Sequence, residues 1–73
     1  MLFRVMDRTG DTQTQFDVSK ASGLEEAEKR FKEITGSGFM AIAPSKDGSP
    51  GTLLRKFDPT QEEVIFQPQL QGG

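Results

Sequence analysis

Residues 1–18 read Met-Leu-Phe-Arg-Val-Met-Asp-Arg-Thr-Gly-Asp-Thr-Gln-Thr-Gln-Phe-Asp-Val, "MLFRVMDRTGDTQTQFDV". From Met1 to Val5 the odd positions Met1, Phe3 and Val5 are apolar and Arg4 is polar, the period of a strand with one face on a core. Leu2 and Met6 blur that alternation. In "DRTGDTQ", Gly10 can take a positive φ without steric cost, so the chain turns there. The return run places Thr12, Thr14, Phe16 and Val18 on one face and Gln13, Gln15 and Asp17 on the other. The opening is therefore predicted to be a β-hairpin, and the rest of the chain must supply what covers its apolar face.

The next segment, "SKASGLEEAEKRFKEITGSG", changes period. Leu24, Ala27, Phe31 and Ile34 fall on one helical stripe, with Glu and Lys on the remaining faces. Ser22 followed by Glu25 fits a capping box, and Gly36 is the expected left-handed stop. "FMAIA" then reads as a mostly buried central strand ended by Pro44, and "SKDGSPG" as a loop. "TLLRKF" suggests a short strand within residues 52–57. "EEVIFQ" makes a final strand, with Val64 and Phe66 facing one way and Ile65 the other.

Seventy-three residues hold one small core, close to the lower size for folding without staples. Six Phe supply much of it, because each ring buries far more area than Ala or Val. The order strand, strand, helix, strand, short strand, strand predicts an α+β fold: a mixed sheet of four to five strands with one helix packed across it. The expected organisation is a single domain over residues 1–68 and a flexible tail over residues 69–73.

Composition narrows the function. With 9 basic and 11 acidic residues the formal charge is −2, and no Lys/Arg cluster has the density of a phosphate-tracking surface, so nucleic acid is not an expected partner. Cys and His are both absent, which removes disulfides, the usual zinc ligands, thiolate nucleophiles and the imidazole base. No catalytic residue, metal site or cofactor is therefore expected. Asp7, Asp11, Asp17 and Glu25, Glu26 and Glu28 read as a solvated face rather than a cation site. "SKDGSPG" lacks the Gly-Lys-Ser/Thr of a phosphate-binding loop. No apolar run approaches the roughly 20 residues of a membrane span, and the start lacks the pattern of a secretory signal, so a soluble cytoplasmic protein is expected.

The hairpin with its Thr9-Gly10-Asp11-Thr12 turn resembles the opening of ubiquitin, and the chain as a whole resembles the β-grasp superfamily. The end, "EVIFQPQLQGG", is similar to the terminus of the small sulfur-carrier subunit of molybdopterin synthase, a relative of the sulfur carriers of thiamine synthesis within that superfamily. Glu63, Val64, Phe66, Pro68, Gly72 and Gly73 stand in the matching places. The resemblance implies that a partner adenylating enzyme joins the Gly73 carboxylate to AMP, and that an amine, thiol or sulfide then displaces the AMP. The implied partners are that enzyme and either conjugation targets or sulfur-transfer proteins; the chain is the substrate.

A free α-carboxyl titrates at about 3.3–3.7, so at neutral pH it is an ionised oxygen nucleophile. Gly72 and Gly73 lack a Cβ, which lets an extended end thread a narrow channel, and Leu70 and Gln71 complete the arm. Pro68 has no N–H and is expected to end strand pairing and release the arm. Gln69 and Gln71 replace the two Arg of ubiquitin's tail, which implies a dedicated partner enzyme. Ile65, joined by Leu54, is expected on the open sheet face, the docking surface of ubiquitin-like folds.

Overall fold

The computed structural model describes residues 1–69. Along the chain run β1 (Leu2–Asp7), β2 (Gly10–Gln15), α1 (Ala21–Gly36), β3 (Phe39–Ala43), β4 (Thr52–Leu54) and β5 (Glu63–Pro68). The strands form one sheet in the order β2-β1-β5-β3-β4. β1 and β5 pair in parallel, while the other neighbours are antiparallel, so the sheet is mixed. α1 packs across one face. This is the α+β, β-grasp arrangement expected from the sequence, with five strands.

The hairpin closes through the two residues Arg8 and Thr9, with Asp7 paired to Gly10. One Asp7 carboxylate oxygen accepts from the Thr9 N–H at 2.8 Å and from its hydroxyl at 2.6 Å. Gly10 has φ +133°, a conformation that side chains disfavour. Registered pairing continues along all of β2 to Leu2–Gln15. Phe16 extends it, donating its N–H to the Met1 carbonyl and accepting from the Met1 amino group, each at 2.8 Å.

One stripe of the helix is buried. Ala27, Phe31 and Ile34 form a core with Met1, Phe3, Ala41, Val64 and Phe66; Phe16, Val18, Phe39, Leu54 and Phe57 pack around it. Leu24, at the start of the stripe, is half-buried. Five of the six Phe make a chain of edge-to-face contacts: Phe16–Phe3 and Phe3–Phe66 at 4.9 Å, Phe66–Phe31 and Phe31–Phe57 at 5.8 Å. Such pairs contribute about 0.5–1.5 kcal/mol each beyond the area they bury. They tie the hairpin, the last strand, the helix and the segment after β4 into one core.

Both helix ends differ from the sequence expectation. The helix starts at Ala21, its cap residue Lys20 offers no side-chain bond, and Ser22 lies inside the first turn. The Ser22/Glu25 capping box is therefore not formed. Instead the chain turns just before the helix, where the Lys20 N–H donates to the Asp17 carbonyl at 3.3 Å. That turn presses on the helix: a Cβ on Gly23 would lie 1.9 Å from the Asp17 carbonyl oxygen. At the other end Gly36 is still helical, and Gly38, at φ +93°, takes the left-handed conformation. Ser37 and Gly38 close the end by donating to the Ile34 and Thr35 carbonyls at 3.1 and 3.3 Å.

Candidate functional site

The site suggested by the sequence has two parts: the strand that carries the Gly-Gly end, and the sheet face away from the helix. β5 is central, held by β1 from Leu2–Glu63 to Val5–Phe66 and by β3 from Ile42–Ile65 to Phe39–Pro68. Its apolar pair Val64 and Phe66 is buried at 1% and 0% exposure. The strand is thus fixed by β1 at Glu63 and Val64, on both sides at Ile65 and Phe66, and by β3 alone at Gln67 and Pro68.

Pro68 does not end the pairing. It stands opposite Phe39, and the Gln69 N–H beyond it donates to the Gly38 carbonyl at 2.9 Å. The reason lies in the alternation of strand donors. Since the Gln69 donor points to the β3 side, the donor that Pro68 lacks would have pointed to the β1 side. There the pairing has already ended at Val5–Phe66, so the proline costs no ladder bond. Residue 69 is accordingly tied to the sheet rather than the first of the arm. Leu70, Gln71, Gly72 and Gly73 lie outside the described residues.

The register defines the open face. Residues directly opposite in a sheet share a face, so one row runs Gln13, Arg4, Ile65, Ile42, Leu53 across all five strands. Ile65 is on the open face, as expected. Leu54 is not: it stands opposite the buried Ala41 and packs against the core. The exposed neighbour is Leu53, at 51%. A strand of three residues takes its register from β3, and two adjacent leucines give no sequence signal for which one turns inward. With Met40 beside Ile42, the apolar part of the face comprises Ile65, Ile42, Met40 and Leu53.

The β1 position of the row is charged. Arg4 spans two carboxylates, donating to Asp11 at 3.1 Å and to Glu63 at 3.3 Å. The Arg4 bond, followed by one from Gln13, holds the Asp11 carboxyl below its ordinary range, and the bonds to Asp11 and then Glu63 raise Arg4. The Arg4 Nε is buried without a partner. Lys46 and Glu62, 3.4 Å apart, form a further pair at the rim that is open to water and contributes little.

Four more aspartates are held ionised by hydroxyl and backbone donors, joined at Asp58 by the Gln61 side-chain amide. Thr9 lowers Asp7, Ser19 lowers Asp17, Ser45 and Ser49 lower Asp47 strongly, and Thr60 with Gln61 lowers Asp58. A carboxylate in this state accepts hydrogen bonds and is a poor proton donor at neutral pH. Among the described residues no group of three or more Asp or Glu could hold a metal ion, and no helix is long and apolar enough to cross a membrane. The described residues thus present an open face with an apolar row from Ile65 to Leu53 and an ion-paired Arg4 flanked by Leu2 and the exposed Met6, joined to an anchored last strand. Comparison with models of protein families, with curated proteins and with solved structures finds no match for this chain.

Proposed function

We propose that this chain is a ubiquitin-like protein modifier whose Gly73 carboxylate is activated as an adenylate and conjugated to lysine amines on target proteins. The observation that carries the reading is the union of a β-grasp sheet with a central, doubly paired β5 that is followed in sequence, after Gln69, by Leu70-Gln71-Gly72-Gly73. In the first step a Gly73 carboxylate oxygen attacks the α-phosphorus of ATP on a partner enzyme, and pyrophosphate leaves. In the second, a lysine amine attacks the acyl carbon, AMP leaves, and an isopeptide bond forms. The chain is substrate in both steps and enzyme in neither. The reading sets this chemistry in the cytoplasm, with the apolar row of the open face around Ile65 as the surface that partners grip.

A second reading keeps the adenylate and ends in a Gly73 thiocarboxylate that donates sulfur. It is favoured by the likeness of Glu63, Val64, Phe66 and Pro68 to the last strand of the sulfur carriers. A third, a binding module with an inert tail, is supported by the apolar row Ile65, Ile42 and Leu53 alone.

Intact mass of the untagged protein from its own host, beside a blot of the lysate for higher-mass species, separates the three. Conjugation predicts a chain ending at Gly73 and adducts that vanish when Gly73 is deleted. An oxygen-to-sulfur exchange in the intact mass identifies the carrier. A single unmodified species, with function unchanged by the deletion, refutes both and leaves the binding module.

A further inference from the structure

The two edges of the sheet are unequal. β4, at one edge, has three residues and runs straight into Arg55 and Lys56; shortness and positive charge are the usual means of blunting an edge. β2, at the other, has six residues, all exposed, pairs without a bulge, and contains neither Lys, Arg nor Pro. Its one charge, Asp11, is already engaged by Arg4.

The outward groups of β2 can be assigned. Phe16 and Met1 exchange both backbone bonds, so by alternation Thr14 and Thr12 also face β1. The N–H and C=O groups of Asp11, Gln13 and Gln15 therefore point away from the sheet, with no strand beyond them among the described residues.

We infer that this edge pairs with β2 of a second copy, antiparallel about a two-fold axis at Gln13. In that register Asp11 meets Gln15, Gln13 meets its own image, and Gln15 meets Asp11. Each is a pair of the kind that exchanges both backbone bonds. Thr12 meets Thr14, a favourable cross-strand hydroxyl pair, and no like charges face each other. Centring the pairing on Asp11 would oppose two carboxylates; centring it on Thr12 or Thr14 would lose one of the three bonded pairs. This self-complementarity selects a copy of the chain as occupant. The dimer has one continuous sheet, with both helices on the same side. The contact is a strand edge, smaller than the roughly 1,000 Å² of a stable interface, so the association is weak and reversible.

Sedimentation equilibrium on the untagged full chain, from about 10 μM to about 1 mM, tests this. The expected result is a monomer at the low end and a growing dimer fraction at the high end. Gln13→Lys sets two ammonium groups against each other on the axis and weakens dimerisation about tenfold or more. Glu28→Gln, the same change in charge on the exposed helix face, does not. Hydrogen exchange on the native protein reads the register without a variant: protection of the Gln13 and Gln15 amides rises with concentration, while that of Thr12 and Thr14 is already present. A chain that stays monomeric at about 1 mM, or a dimer indifferent to Gln13→Lys with unchanged Gln13 and Gln15 exchange, overturns the assignment.

Discussion

Replacing Gly23 with Ala is the most direct probe of how the hairpin and the helix are joined. In an ordinary helix interior this change stabilises by about 0.5–1 kcal/mol, because Ala gives up less backbone freedom on folding. Here the new Cβ would sit 1.9 Å from the Asp17 carbonyl oxygen and 2.7 Å from its carbon. Both are backbone atoms, so relief requires moving the turn at Asp17 or the first helical turn itself. Overpacking of this kind costs about 1–3 kcal/mol, and the overlap points to the upper half. Net destabilisation is then about 2 kcal/mol, or a Tm lower by about 8–16 °C for a domain of this size. Gly36 in the same helix is the control, since a Cβ there meets nothing within 4 Å and φ is not positive. Gly36→Ala is expected to raise Tm by a few degrees, about 0.5 kcal/mol. Thermal unfolding followed by circular dichroism measures both. Equal stabilisation by the two substitutions would falsify the claim that the Asp17 carbonyl closes over the helix.

Gly38→Ala should destabilise by about 1–2 kcal/mol purely through its φ of +93°, since no atom crowds the site; chemical denaturation measures it, and a neutral result would contradict the left-handed cap. Leu54→Ala should lower stability by more than about 1 kcal/mol, whereas Leu53→Ser should stay within about 0.5. The reverse order in urea titrations would put the wrong leucine on the open face. The folded pKa values of Asp7, Asp11, Asp17, Asp47 and Asp58 all lie below their unfolded values. Their contribution is therefore complete above the unfolded value of about 3.9 and is lost as pH falls through the folded values. Stability measured from pH 6 to pH 2 should decline below about pH 4, and Asp11→Asn should flatten part of that decline; a level profile in the native chain would refute it. If the open face is the surface a partner enzyme grips, Leu53→Asp should impair adduct formation in the host while leaving Tm within a few degrees. Undiminished adducts would remove Leu53 from that surface.

Alternation, helical period and one short apolar run were enough to place the hairpin, the helix, β3 and β5, whereas Leu53-Leu54 breaks the alternation and only suggests the strand β4. The strict period of two in Thr12–Val18 and the stripe Ala27, Phe31, Ile34 need no knowledge of what they pack against. The short apolar run "FMAIA" and the alternating "EVIF" likewise announce buried strands. What pattern could not reach depends on neighbours distant in sequence. Ser22 and Glu25 have the spacing of a capping box, yet the turn at Asp17 starts the helix at Ala21 and carries Ser22 inside it. Gly36 and Gly38 are equally able to reverse the chain, and the choice fell to Gly38, whose carbonyl then meets the Gln69 N–H across β3 and β5. Pro68 reads as a stop, but its missing donor faces the side where β1 pairing has already ended. Leu53 and Leu54 are interchangeable until β3 fixes the register of β4. The sequence by itself determined the elements and the composition of the core, since those follow from local period and apolar content. Only the tertiary structure decided which residues reach the open face and which edge is left unguarded, since both depend on pairing between strands far apart in the chain.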